Sequence, residues 1–94
     1  MSKTFKITVS GQVQGVGFRP YVFVLAKELN LKGTVSNNEE GVIIYLYGDE
    51  RSVNQLYNKL INFPPPVSKI TEHQIVETEE KKFSDFQIIP STKS

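Results

Sequence analysis

Gly11-Gln12-Val13-Gln14-Gly15-Val16-Gly17-Phe18-Arg19-Pro20 is a stretch across which the pattern of the chain changes. Ahead of it, Phe5, Ile7 and Val9 alternate with Lys6, Thr8 and Ser10, the period of two of a half-buried strand. Behind it, Phe18, Val22, Leu25 and Leu29 recur at helical spacing with Ala26 beside them. Pro20 falls in the first turn, where a helix accepts proline. The stretch therefore reads as a strand-to-helix turn with glycines at 11, 15 and 17.

Such a turn has a physical use. Glycine allows positive φ and has no Cβ to keep a ligand from the backbone, so consecutive N–H groups can converge on one point. The first helical N–H groups lack partners inside the helix and sit at the positive end of its dipole. A phosphate or carboxylate is the natural occupant. Arg19 sharpens the reading, because a cation at a helix N-terminus opposes the dipole unless an anion lies between them. Its planar guanidinium can grip two oxygens of a phosphoryl group at once. The spacing is equally compatible with a ligand-free turn and a solvated arginine.

The chain has 94 residues, enough for one domain and one core. With no cysteine it can form neither a disulfide, nor a thiolate metal site, nor a cysteine nucleophile. A net charge of +1 gives no electrostatic case for nucleic acid or an anionic membrane. No apolar run approaches the roughly 20 residues of a spanning helix, and the N-terminus lacks an apolar signal-peptide core. A cytoplasmic, soluble protein is expected.

Downstream of the first helix, Asn30-Leu31-Lys32-Gly33 supplies a helix stop, with Gly33 available as a left-handed cap. Thr34 and Val35 begin a short strand that ends in the polar turn Ser36-Asn37-Asn38-Glu39-Glu40-Gly41. Val42–Tyr47 is apolar on both faces and reads as a central strand, joined to its predecessor as a hairpin. Asp49 can cap a second helix with the stripe Val53, Leu56, Tyr57 and Leu60, stopped by Phe63-Pro64-Pro65-Pro66. Ile70–Glu77 and Phe83–Ile89 read as one or two strands around a solvated charge cluster, Glu79-Glu80-Lys81-Lys82. Residues 1–90 form the expected domain, and 91–94 a tail or the start of a linker.

The order is strand, helix, strand, strand, helix, strand, which is an α+β, ferredoxin-like split βαβ sandwich. It has two helices on one face of a mostly antiparallel sheet and leaves room for an extra C-terminal strand. Right-handed crossovers place the first strand beside Val42–Tyr47.

Val13-Gln14-Gly15-Val16-Gly17-Phe18-Arg19, followed by Gly33-Thr34-Val35-Ser36-Asn37 and Gly41-Val42, resembles the acylphosphatase family over nearly the whole chain. The resemblance implies a ferredoxin-like fold, no metal or other cofactor, and hydrolysis of acyl phosphates to carboxylate and inorganic phosphate. Pro20 after the arginine, Tyr21-Val22, Pro64-Pro65-Pro66 and Phe83-Ser84-Asp85-Phe86-Gln87-Ile88 are similar to a narrower group. That group is the N-terminal domain of the hydrogenase-maturation carbamoyltransferases, which act on carbamoyl phosphate. Stand-alone members usually lack the proline and often carry tryptophan where Thr34 stands. The resemblance thus implies a partner in the rest of a longer carbamoyltransferase chain, or a monomer if the chain stands alone.

Carried over by motif, the family's phosphate-binding arginine is Arg19 and its water-orienting asparagine is Asn37. The backbone cradle is Gln14, Gly15, Val16, Gly17, Phe18 and Arg19, and Glu40-Gly41 keeps the spacing of the following turn. Without the resemblance, Asn37 would be an ordinary turn residue. His73, the only histidine, is isolated from any nucleophile or ligand partner and reads as surface or strand packing. Two rivals stand beside hydrolysis. One is a binding module for phosphate or carbamoyl phosphate with little turnover. The other is an RNA-binding split βαβ sheet, disfavoured because Phe18 begins a helix and Pro20 forbids strand continuation. Phe23 and Val24 lie off the main apolar stripe, either widening the buried face or touching the rest of a longer chain.

Overall fold

The computed structural model describes residues 2–39 and 41–90. Glu40 and the expected tail 91–94 lie outside the described residues. Phe5, Ile7 and Val9 are buried along β1 (Ser2–Gln12) while Lys6 and Thr8 are not, as the alternation requires. Helix α1 (Phe18–Glu28) buries Phe18, Val22, Leu25 and Ala26. Next in order come β2 (Lys32–Asn38), β3 (Gly41–Asp49), α2 (Glu50–Asn62), β4 (Lys69–Glu77) and β5 (Phe86–Ile88).

The strands form one sheet in the order β4-β1-β3-β2-β5. The pairs β1–β3, β1–β4 and β2–β3 are antiparallel, and β2–β5 is parallel. This is the expected ferredoxin-like arrangement with the extra C-terminal strand added at the β2 edge. Strand β3 is central, and its Val42, Ile44 and Leu46 lie opposite Val9, Ile7 and Phe5. The same face receives Val53, Leu56 and Leu60 of α2 and the buried stripe of α1, closing a single core. Burying each such side chain contributes about 1.5–3 kcal/mol, so this one layer carries most of the stability. Phe23 joins the buried side through an edge contact with Phe86, at 6.1 Å between ring centroids, whereas Val24 is exposed.

Three local expectations are corrected. The first helix is not capped by Gly33: Asn30 takes the left-handed conformation (φ 57). Its N–H donates to Lys27 O at 3.2 Å and the N–H of Leu31 to Ala26 O at 2.8 Å, the double bond of a Schellman cap. Gly33 instead lies within β2, where a Cβ would stand 1.8 Å from Tyr45 O, so close strand packing demands the glycine. Second, Asp49 does occupy the cap position of α2 but makes no side-chain cap bond. Third, Ser36, Asn37 and Asn38 are not turn residues; they continue β2, with Asn37 opposite Val42 and Asn38 opposite Gly41.

The charge cluster after β4 is exposed as expected, yet its backbone is pinned. The chain runs over the open face of the sheet, where the Thr4 hydroxyl accepts from Lys81 N–H (2.9 Å) and donates to Lys81 O (3.1 Å). The Lys81 ammonium stands 4.4 Å from the centre of the Tyr45 ring. No helix among the described residues is long and apolar enough to cross a membrane.

Candidate active site

The register of β1 against β4 slips between Ser10 and Gly11, immediately before the chain leaves the sheet. Such an irregularity bends a strand and re-aims the residues beyond it. Residues 13–17 then run from the end of β1 to α1. Gly15 (φ 73) and Gly17 (φ 84) are left-handed, and a Cβ built on either would meet nothing within 4 Å. Packing therefore does not explain these glycines; the backbone conformation and the open space beside it do. Gly17 is also the cap residue of α1, which has no side-chain cap bond and no acidic residue in its first turn. The positive end of the helix dipole is thus left for something else to meet.

That space is part of a cleft of about 230 Å³, lined by Val13, Gly15, Gly17, Phe18, Arg19, Pro20 and Asn37. Arg19 and Asn37, expected from sequence to act together, line the same cleft. Strand alternation explains the placement of Asn37: it shares with Val35 the helix-facing side of β2 and is only 7% exposed. A hydrophilic residue has been placed at a core position where the core opens into the cleft. Arg19 is half-buried, and its guanidinium donates to Ile89 O at 3.4 Å, tying the cleft to the chain beyond β5.

Of the six expected cradle residues, Gly15, Gly17, Phe18 and Arg19 line the cleft. Gln14 and Val16 are not among its lining residues. Val16 packs against the core, and the Gln14 side chain turns to the β2–β3 hairpin. Sequence reasoning missed Val13, Pro20 and the carbonyl of Ile89. Val13 and Pro20 stand inside the glycine-rich stretch 11–20 and could have been found there; a backbone carbonyl from a distant segment carries no side-chain signal. His73 lies on β4, away from the cleft, with its Nδ1 hydrogen-bonded to the Tyr57 hydroxyl. Among the described residues, no group of three or more His, Cys, Asp or Glu side chains is placed to hold a metal.

The family model described as Acylphosphatase matches residues 5–88 of this chain. The chain belongs to the acylphosphatase family. It is 39% identical over 84 residues to an acylphosphatase of Staphylococcus aureus, covering 88% of this chain and 94% of that protein. It is 37% identical over 92 residues to the carbamoyltransferase HypF of Synechocystis, covering 98% of this chain but 12% of that protein. A crystal structure of full-length HypF in its phosphate- and nucleotide-bound form superposes with a TM-score of 0.96 at 40% identity. There the match covers 99% of this chain and 12% of the other. An acylphosphatase of the family is thus matched along nearly its whole length, and HypF along about an eighth.

Proposed function

We propose that the cleft hydrolyses the carboxyl–phosphate bond of acyl phosphates, with Arg19 and Asn37 as its two working side chains. One observation carries the reading: two left-handed glycines, an uncapped helix start, an arginine and a buried asparagine line one small cleft. An acyl phosphate has a good leaving group, so the protein has little proton transfer to perform. Its task is to hold the phosphoryl group, neutralise its equatorial oxygens and keep a water in line with the breaking bond.

In this scheme the amides of the 14–19 segment and the Arg19 guanidinium take the phosphoryl oxygens. The Asn37 carboxamide oxygen accepts a hydrogen bond from the attacking water and so aims its lone pair at phosphorus. The new P–O bond forms as the bond from phosphorus to the acyl oxygen breaks. The carboxylate leaves with that electron pair, and the water proton passes to a phosphate oxygen. No titrating base is required, in keeping with a cleft whose described lining residues include no histidine or carboxylate.

A cleft of about 230 Å³ holds a phosphoryl group and leaves most of a large acyl group outside. As an isolated domain the chain would therefore accept acyl phosphates broadly. As part of a protein like HypF it would act on carbamoyl phosphate, releasing carbamate to the remainder of that protein. The test is release of inorganic phosphate by the purified chain from acetyl, benzoyl and carbamoyl phosphate. Comparable turnover of all three supports general hydrolysis, and turnover of carbamoyl phosphate alone supports the role within a longer enzyme. Tight phosphate binding without turnover of any would leave a binding module and overturn hydrolysis.

A further inference from the structure

Gln14 stands at the start of the expected cradle segment, next to the cleft-lining Val13 and Gly15, and its side chain turns away from that segment. The carboxamide nitrogen donates to Asn38 O at 2.5 Å and to Gly41 O at 3.2 Å, spending both of its hydrogens on the β2–β3 hairpin. Asn38 and Gly41 are the last paired residues of that hairpin, and Asn37 is the residue just before them. We propose that Gln14 is a positioning residue, which locks the hairpin to the cradle and so sets the distance from Asn37 to the bound phosphoryl group.

The lock has a purpose because of where β2 is supported. Strand β5 pairs with β2 only at Gly33, Thr34 and Val35, so at Asn37 the described ladder partner is β3. The tip of the hairpin is braced within itself by Gly41 N–H donating to Asn38 Oδ1 at 3.1 Å. It also packs on β1, where a Cβ at Gly41 would lie 2.1 Å from Val9 O. Those braces hold the hairpin to the sheet. The Gln14 bonds connect it to the phosphate-binding segment, and Gln14 is itself exposed, so their contribution is geometric more than stabilising. Catalysis by placement is sensitive to displacements of about 1 Å, which can cost on the order of a hundredfold.

The inference rests on the hydrolytic reading and on Asn37 as the residue that orients water. The experiment is a double-mutant cycle of Gln14→Ala and Asn37→Ala, measuring kcat and the inhibition constant of inorganic phosphate, with thermal melting as a control for folding. Gln14→Ala is expected to lower kcat about tenfold and to leave phosphate inhibition within about twofold of the parent. In the Asn37→Ala background it should cause almost no further loss, because the group it positions is gone. Gln14→Glu, which turns an acceptor toward two carbonyls, should lose more than Gln14→Ala, and Gln14→Lys, which restores a donor, should recover part of the rate. Equal losses in both backgrounds, a parallel fall in phosphate binding, or an unchanged rate would overturn the positioning role. An unchanged rate in Asn37→Ala alone would instead overturn the assignment of water orientation, and an inactive parent would overturn the hydrolytic reading.

Discussion

Arg19 sits where two requirements meet. In the proposed scheme the guanidinium has to stay at the start of α1, against the helix dipole, and to leave donors for the phosphoryl group. Its bond to Ile89 O uses one terminal nitrogen and leaves the other donors of the fork available in geometry. Arg19→Ala should therefore abolish measurable inhibition by phosphate and turnover together; near-normal phosphate inhibition would remove the guanidinium from the site. No histidine or carboxylate is among the described residues that line the cleft. A plot of kcat against pH should accordingly be flat between pH ~6 and ~8, where a general base would produce a limb. At this scale the sequence was informative about where Arg19 and the glycines stand, because the strand-to-helix turn that places them is local. It was not informative about Asn37 as a strand residue, because Ser36-Asn37-Asn38 has turn propensity and only the pairing with β3 overrides it.

The elements were legible wherever one period dominated. The strand of Phe5, Ile7 and Val9 and the helix stripes of α1 and α2 all emerge from spacing, and the apolar run of β3 announced its central place. Their ends were less so. Asn30 outcompeted Gly33 as the helix cap because asparagine tolerates the left-handed region, while Gly33 is needed further along, inside β2, for close strand packing. The short β5 is held at its start by Asp85, which accepts from Phe86 N–H at 2.8 Å and pairs with Lys27 of α1 at 3.1 Å. The Phe86 amide first, and then the Lys27 ammonium, hold the Asp85 carboxyl below its usual 3.8. A carboxyl depressed in the folded state stabilises at pH above its unfolded value, and that contribution is lost as the pH falls through the lower folded value. The melting temperature of Asp85→Asn should thus lie slightly below that of the parent at neutral pH, with the gap closing only in acid, as the pH falls through the lowered folded value. A gap that persists in acid would assign the effect to packing.

At the scale of the molecule, helices cover one face of the sheet, and the crossover from β4 to β5 runs over part of the other. Thr4, 1% exposed, is the pin of that crossover through its two bonds to Lys81. Thr4→Val keeps the shape and removes both bonds, and should cost about 1–3 kcal/mol in urea unfolding, the net worth of two hydrogen bonds at roughly 0.5–1.5 kcal/mol each. A change within a few tenths of a kcal/mol would mean that Lys81 exchanges these bonds for water without loss. The crossover was invisible in the sequence because a threonine and a backbone segment so far apart give no periodic signal. The overall topology was visible because each element, taken in order, admits few right-handed arrangements.

The most direct test of the central claim, that Asn37 steers water toward a phosphoryl group held by the cradle and Arg19, is kinetic. It is the rate of acyl phosphate hydrolysis by Asn37→Ala, read together with inhibition by inorganic phosphate in the same assay. The account predicts a loss in kcat on the order of a hundredfold with phosphate inhibition unchanged. An unchanged kcat, or a fall matched by an equal loss of phosphate binding, would contradict it.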